Sequence, residues 1–159
     1  MGLRLSTAMR NALLESGSFI DTINNTAAAT NTSGSKLVIF RGSVPASADD
    51  AVASTDVLVV IENHVGSTNY NLNFGAASGG VIAKNADTWS GTIATAGTAT
   101  FFRMITAADN GYDADPGHIY PRLQGEISAD GTAVGTLSNT SLTSGTQIIE
   151  YFYLSLPTE

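Results

Sequence analysis

The chain of 159 residues has no cysteine, only seven Lys and Arg, four prolines and a charged fraction of 13%. Without cysteine there are neither disulfide staples nor thiolate metal sites, so stability must come from burial and association. Charge is about half the usual ~25%, and Thr, Ser, Ala, Asn and Gly take its place. That exchange suits a β-rich surface built for packing, since a dispersed monomer usually carries more charge. Seven basic against 14 acidic residues give a net charge of −7. With the few cations scattered, neither nucleic acid nor an anionic membrane is an expected partner. No apolar run reaches the ~18 residues of a membrane-spanning helix. Arg10, Asn11 and Glu15 interrupt the first sixteen residues, which do not read as a signal peptide. The chain is expected to stay in the compartment where it is made, and the N-x-T/S patterns at Asn24 and Asn31 are not expected to carry glycan.

Helical periodicity is scarce as well. Residues 1–16 carry Leu5, Ala8, Met9, Ala12 and Leu13 along one stripe, with Ser6 or Thr7 to cap the start and Gly17 to end the helix. Residues 24–35 are small and polar and read as a linker. The expected organisation is therefore an N-terminal helix and polar arm over residues 1–35, followed by a β domain over 36–159. Such a helix must bury its stripe against the body or another subunit, which suggests a docking arm with Leu5, Met9 and Leu13 as contacts.

The remainder reads as strands. KLVIFR at residues 36–41 and DVLVVIEN at 56–63 are apolar and β-branched. The second is nearly continuous, as when both faces are covered. Residues 69–74 alternate, placing Tyr70, Leu72 and Phe74 on one side. TATFFRMIT at 98–106 has large side chains on both faces. Residues 118–128 are extended, with Pro121 implying an edge or bulge. Asp130 and Gly131 suggest a hairpin turn. QIIEYFYLSL at 147–156 reads as one long strand with Ile148, Phe152, Leu154 and Leu156 inward and Ile149, Tyr151 and Tyr153 outward. About eight short strands with Gly-rich turns predict an all-β, antiparallel β-sandwich, jelly-roll or immunoglobulin-like, with one short N-terminal helix. The outward set Ile149, Tyr151 and Tyr153 suggests an oligomer or capsid contact.

Chemistry is thinly represented. His64 and His118 are the only imidazoles and nothing in the spacing joins them. Asp109, Asn110, Asp113 and Asp115 form an acidic loop that lacks the Ca²⁺-loop pattern and its closing glutamate, and it reads as a solvated turn. There is no G-x-S-x-G elbow and no phosphate loop. No catalytic residue, metal ligand or cofactor is expected, and the chain is not expected to be an enzyme. Trp89, Phe101, Phe102, Tyr112, Tyr120, Tyr151, Phe152 and Tyr153 fit core and interface packing better than a sugar-stacking face.

Taken together, GSVPASAD (42–49), TWSGT (88–92) and LSNTSL (137–142), with the opening MGLRLSTAMRNALL and the ending QIIEYFYLSLP, resemble small virion structural proteins of tailed bacteriophages and prophages. The resemblance runs along most of the chain. It implies a particle component assembled in the host cytoplasm without secretion, with other virion proteins as partners, the major capsid protein first among them, and self-association as a homo-oligomer. A capsid decoration protein is the first choice; a tail, neck or baseplate component is one alternative. A glycan- or receptor-binding module on the particle, using loops 107–117 and 64–69, is another.

Overall fold

Strands form where the chain runs apolar and β-branched, and the turns fall on its Gly, Asn and Asp clusters. The computed structural model describes residues 2–15, 17–24, 34–65 and 68–155. In chain order these form β1 (Arg4–Leu5), α1 (Thr7–Glu15), α2 (Phe19–Asn24), β2 (Lys36–Phe40), a 3₁₀ turn (Ser54–Asp56), β3 (Val57–Val65), β4 (Thr68–Tyr70) and β5 (Val81–Ala83). They continue with β6 (Thr88–Thr92), β7 (Gly97–Thr98), β8 (Phe101–Ile105), β9 (Arg122–Ser128), β10 (Gly135–Thr136), β11 (Ser141–Leu142), β12 (Thr146–Ile149) and β13 (Tyr153–Ser155). The fold is all-β, antiparallel and sandwich-like.

The principal sheet runs β1-β9-β8-β2-β3-β6-β12, with β10 added to β9 and β4 to β3. Two small ribbons, β11-β7 and β13-β5, flank it. β3 is long enough to serve two neighbourhoods: Val57 to Ile61 face β2, and Glu62 to His64 face β6. The principal core lies on one side of β2 and β8, where Leu37, Ile39, Phe102 and Met104 meet Leu58, Ile61, Leu72 and Trp89. On the other side Val38, Phe40, Phe101 and Ile105 form a second cluster, with the Phe40 and Phe101 rings stacked at 4.8 Å. Val44, Val52 and Tyr112, from the loops before β3 and β9, cover that cluster.

The N-terminal segment is part of this body, which corrects the expected docking arm. β1 pairs with β9, Leu5 opposite Leu123. Met9 is fully buried in the principal core together with Ile23 of α2, a helix the apolar pattern does not announce. Met9 is thus an internal packing residue, because α1 turns its stripe onto the sheet. Leu5 is half-buried, and Leu13 stands at the exposed end of the stripe. Ser6 is the cap: its Oγ accepts from Met9 N at 3.1 Å and Arg122 N at 2.8 Å. Asp49 takes Thr7 N at 3.0 Å and Thr7 Oγ1 at 2.8 Å, tying the helix start to the loop before β3. Gly17 N donates to Ala12 O at 2.9 Å and closes the helix. Most of the expected linker, residues 25–33, lies outside the described residues, as does Leu156.

Three strand readings also change. Residues 69–74 are not one strand. β4 ends at Tyr70, which is exposed, whereas Leu72 and Phe74 are buried. The Asp130–Gly131 turn exists, with Gly131 at φ +76°, but the chain then runs parallel to β9, Gly135 opposite Ile127, instead of folding back as a hairpin. Pro121 marks no edge strand. It precedes β9, which has β1 on one side and β8 on the other.

Candidate interaction surface

The closing segment is split into β12 and β13, and the split decides which side chains reach solvent. Ile149, opposite Trp89 on β6, is buried. Glu150 and Tyr151 then both point outward before Phe152 returns to the core. Two successive outward residues shift the alternation by one. Ile148 is therefore the exposed isoleucine (51%), while Ile149 belongs to the core; an unbroken strand would have reversed them. Phe152 is seated among aromatics, its ring 5.9 Å from Trp89 and 6.1 Å from both Phe74 and Phe102.

Tyr151 and Tyr153 are 74% and 63% exposed. Their rings stack on each other at 6.5 Å, 6° from parallel. Beside them opens a cleft of about 560 Å³ between this segment and residues 134–138, with Leu3, Ile39, Phe102 and Ile127 among its apolar lining. Among the described residues Glu150 is the one carboxylate at its rim. Its apolar lining offers contact area to a neighbouring surface.

The acidic loop is a different object from the solvated turn its composition suggests. Asp109 and Asp115 are buried. The Arg122 guanidinium forks onto Asp109 at 2.6 and 2.8 Å and gives a further bond to Ala48 O at 3.1 Å. Arg103, equally buried, donates to Gln124 Oε1 at 2.9 Å, Gly111 O at 2.8 Å and Ser47 O at 3.4 Å. Its pKa is lowered to about 10, first by burial and then by the neighbouring Arg122 charge, with Asp109, Asp50 and Asp49 opposing; it remains a cation at neutral pH. Asp115 accepts from Ile119 N and Tyr120 N. Asn110 Oδ1 accepts from Tyr112 N and Asp113 N. The loop's carboxylate and amide oxygens are thus spent on internal bonds, and among the described residues no three acidic, His or Cys side chains gather to hold a metal. The same bonds immobilise loop 107–117, and Tyr112 packs against the second core cluster. The polar cluster was missed in sequence because its members are non-local, but Arg103 inside FFRMI, on a strand with both faces apolar, is a visible signal.

The histidines stay apart. His64 Nε2 lies 3.2 Å from Ser90 O on the β3–β6 ladder. His118, in the left-handed region at φ 51°, has Nδ1 3.6 Å from Asp49 Oδ2.

A second concavity, about 390 Å³, is lined mainly by polar residues. Asn24, Asn63, Tyr70, Asn71, Leu72, Asn73 and Asp87 line it. Asn71 and Asn73, two residues apart, are the signal the sequence carries for it.

Comparison with protein-family models, with curated proteins and with solved structures found no match. What the fold and the surface define is an all-β, sandwich-like module with an exposed aromatic seam beside an apolar cleft.

Proposed function

We propose that this chain is a structural subunit of a tailed-phage virion, a capsid decoration protein in the first instance, that works through surfaces shared with neighbouring subunits. The observation that carries the reading is the seam of Ile148, Tyr151 and Tyr153 beside the open cleft. Stacked, exposed tyrosines supply large contact area at small entropic cost, as interface anchors do. The sequence resemblance adds the particle context. The major capsid protein and further copies of this chain are the proposed partners, and no chemical step is required of it. Many weak copies of one contact on a capsid lattice add up to firm attachment.

The test is binding of the purified chain to capsids that lack it. Tyr151→Asp/Tyr153→Asp should leave thermal unfolding within a few degrees of the parent, because substitutions at such exposed positions usually cost under ~0.5 kcal/mol. Capsid binding should fall at least tenfold. Undiminished binding by the folded double variant overturns the reading, and so does turnover of a substrate by the isolated chain.

A further inference from the structure

We propose that the asparagine-lined pocket beside β3 and β4 is a binding site for a neutral sugar. This inference is independent of the particle role and uses none of the residues of the aromatic seam. It begins with Asn63, which is 2% exposed and lines the pocket. Its Nδ2 donates to Asn71 O at 2.8 Å and reaches Asp87 Oδ2 at 3.4 Å, which fixes the orientation of the amide. Its Oδ1 is then left buried with no partner. Buried polar atoms are rarely left so, and a donor brought within reach by a small shift of the pocket wall would recover a cost of about 1–3 kcal/mol.

The wall around it is held in advance. Ser35 N donates to Asn71 Oδ1 at 2.9 Å, and Ser35 Oγ donates to Asn24 Oδ1 at 2.7 Å while accepting from Leu72 N at 2.8 Å. Asn73 Nδ2 donates to Asp87 Oδ2 at 2.8 Å. Lys84, outside the pocket, bonds the backbone carbonyls of Asn85 and Asp87 and steadies that turn. A site built this way loses little entropy when it is filled.

The chemistry selects among ligands. Amides and one carboxylate present donors and acceptors together, which matches hydroxyl groups that both donate and accept. Among the described residues no Lys, Arg or His lines the pocket, so an anion would meet the Asp87 carboxylate there. A hard cation asks for 6–8 oxygens with several carboxylates among them, and among the described residues Asp87 is the one carboxylate in a pocket otherwise lined by amides, Tyr70 and Leu72. The half-exposed Tyr70 supplies the apolar ring on which the C–H face of a sugar can lie. The volume of about 390 Å³ is that of a small-ligand site.

The full chain, labelled and applied to an array of immobilised neutral, amino and acidic glycans, tests this. Retention is expected on at least one neutral sugar, competed by that sugar in solution, and reduced at least tenfold in both Asp87→Asn and Tyr70→Ala. Tyr70→Ala, at an exposed position, keeps the test decisive should Asp87→Asn loosen the wall. No retention on neutral sugars overturns the proposal, as does retention confined to acidic glycans or retention that survives Tyr70→Ala. Capsid binding by Tyr70→Ala should equal that of the parent, so the two readings fail separately.

Discussion

At the level of single residues the decisive feature is a pair of arginines with no solvent to share. Arg122 and Asp109 are an ion pair in which both groups are essentially unexposed. Removing one partner strands the other charge in the interior, a loss of about 3–5 kcal/mol, whereas exchanging both for apolar groups of similar size is often neutral. Arg122→Met is therefore expected to destabilise by about 3–5 kcal/mol in urea unfolding. Asp109→Leu/Arg122→Met should recover a large share of that, with the shortfall set by the bonds Arg122 gives to Ala48 O and Asp113 O. If the double variant is as unstable as the sum of the singles, the carbonyl bonds and not the ion pair hold the loop. Asp130 is the surface counterpart. Bonds from the Thr132 hydroxyl, then the Thr132 amide, then the Ser128 hydroxyl pull its carboxyl below the usual range. A carboxylate lowered in the folded state stabilises above its unfolded pKa of about 3.9, and that support is lost as pH falls through the folded value. The Thr132 amide resonance should therefore titrate with a midpoint below that of an ordinary aspartate. Asp130→Asn should abolish the titration, and an ordinary midpoint would refute the assignment.

At the level of elements, α1 is structural. Met9 fills the core between β9 and α2, so Met9→Ala should cost about 2–5 kcal/mol. Deleting residues 1–15 should do more than remove an appendage, because it also takes β1 from β9, Ser6 from Arg122 and Thr7 from Asp49. A truncated chain with parental near-UV circular dichroism would restore the docking-arm reading. The contrast shows which features a sequence exposes. β2, β3 and β8 were legible, since runs such as KLVIF and FFRMI have room for little except strands buried on both faces. The stripe of α1 was legible too, but whether it covers its own sheet or a neighbour depends on a contact with β9 more than a hundred residues away. The closing segment was legible as extended and illegible in register. Nothing in IIEYFY says that Glu150 and Tyr151 share a side, and the sequence cannot show Trp89 and Phe74 waiting for Phe152. The buried acidic loop fails for the same reason: its partners, Arg103 and Arg122, come from other strands. The Asn63 pocket was hidden because asparagines near turns are so often solvent-facing.

At the level of the whole molecule, the proposed particle role turns on what kind of force would hold the chain to a larger body. Arg103 and Arg122 are withdrawn into the interior, leaving five basic residues outside it, yet Asp109 and Asp115 are withdrawn with them. The surface therefore keeps the full acidic excess, and copies repel one another at long range at neutral pH. In the proposed role, association would come from short-range apolar contact, and the seam at Ile148, Tyr151 and Tyr153, with Glu150 beside it, is the place for it. Salt then discriminates between mechanisms. Screening at high ionic strength weakens charge-driven docking, leaves apolar burial intact and relieves the repulsion between like-charged copies. Capsid binding should accordingly be equal or tighter at about 0.5 M NaCl than at about 0.05 M, where the screening lengths are near 4 and 14 Å. Calorimetry should return a negative heat-capacity change, the mark of buried apolar surface. Binding that collapses with added salt would move the contact from the tyrosine seam to the acidic faces and make the partner a basic surface.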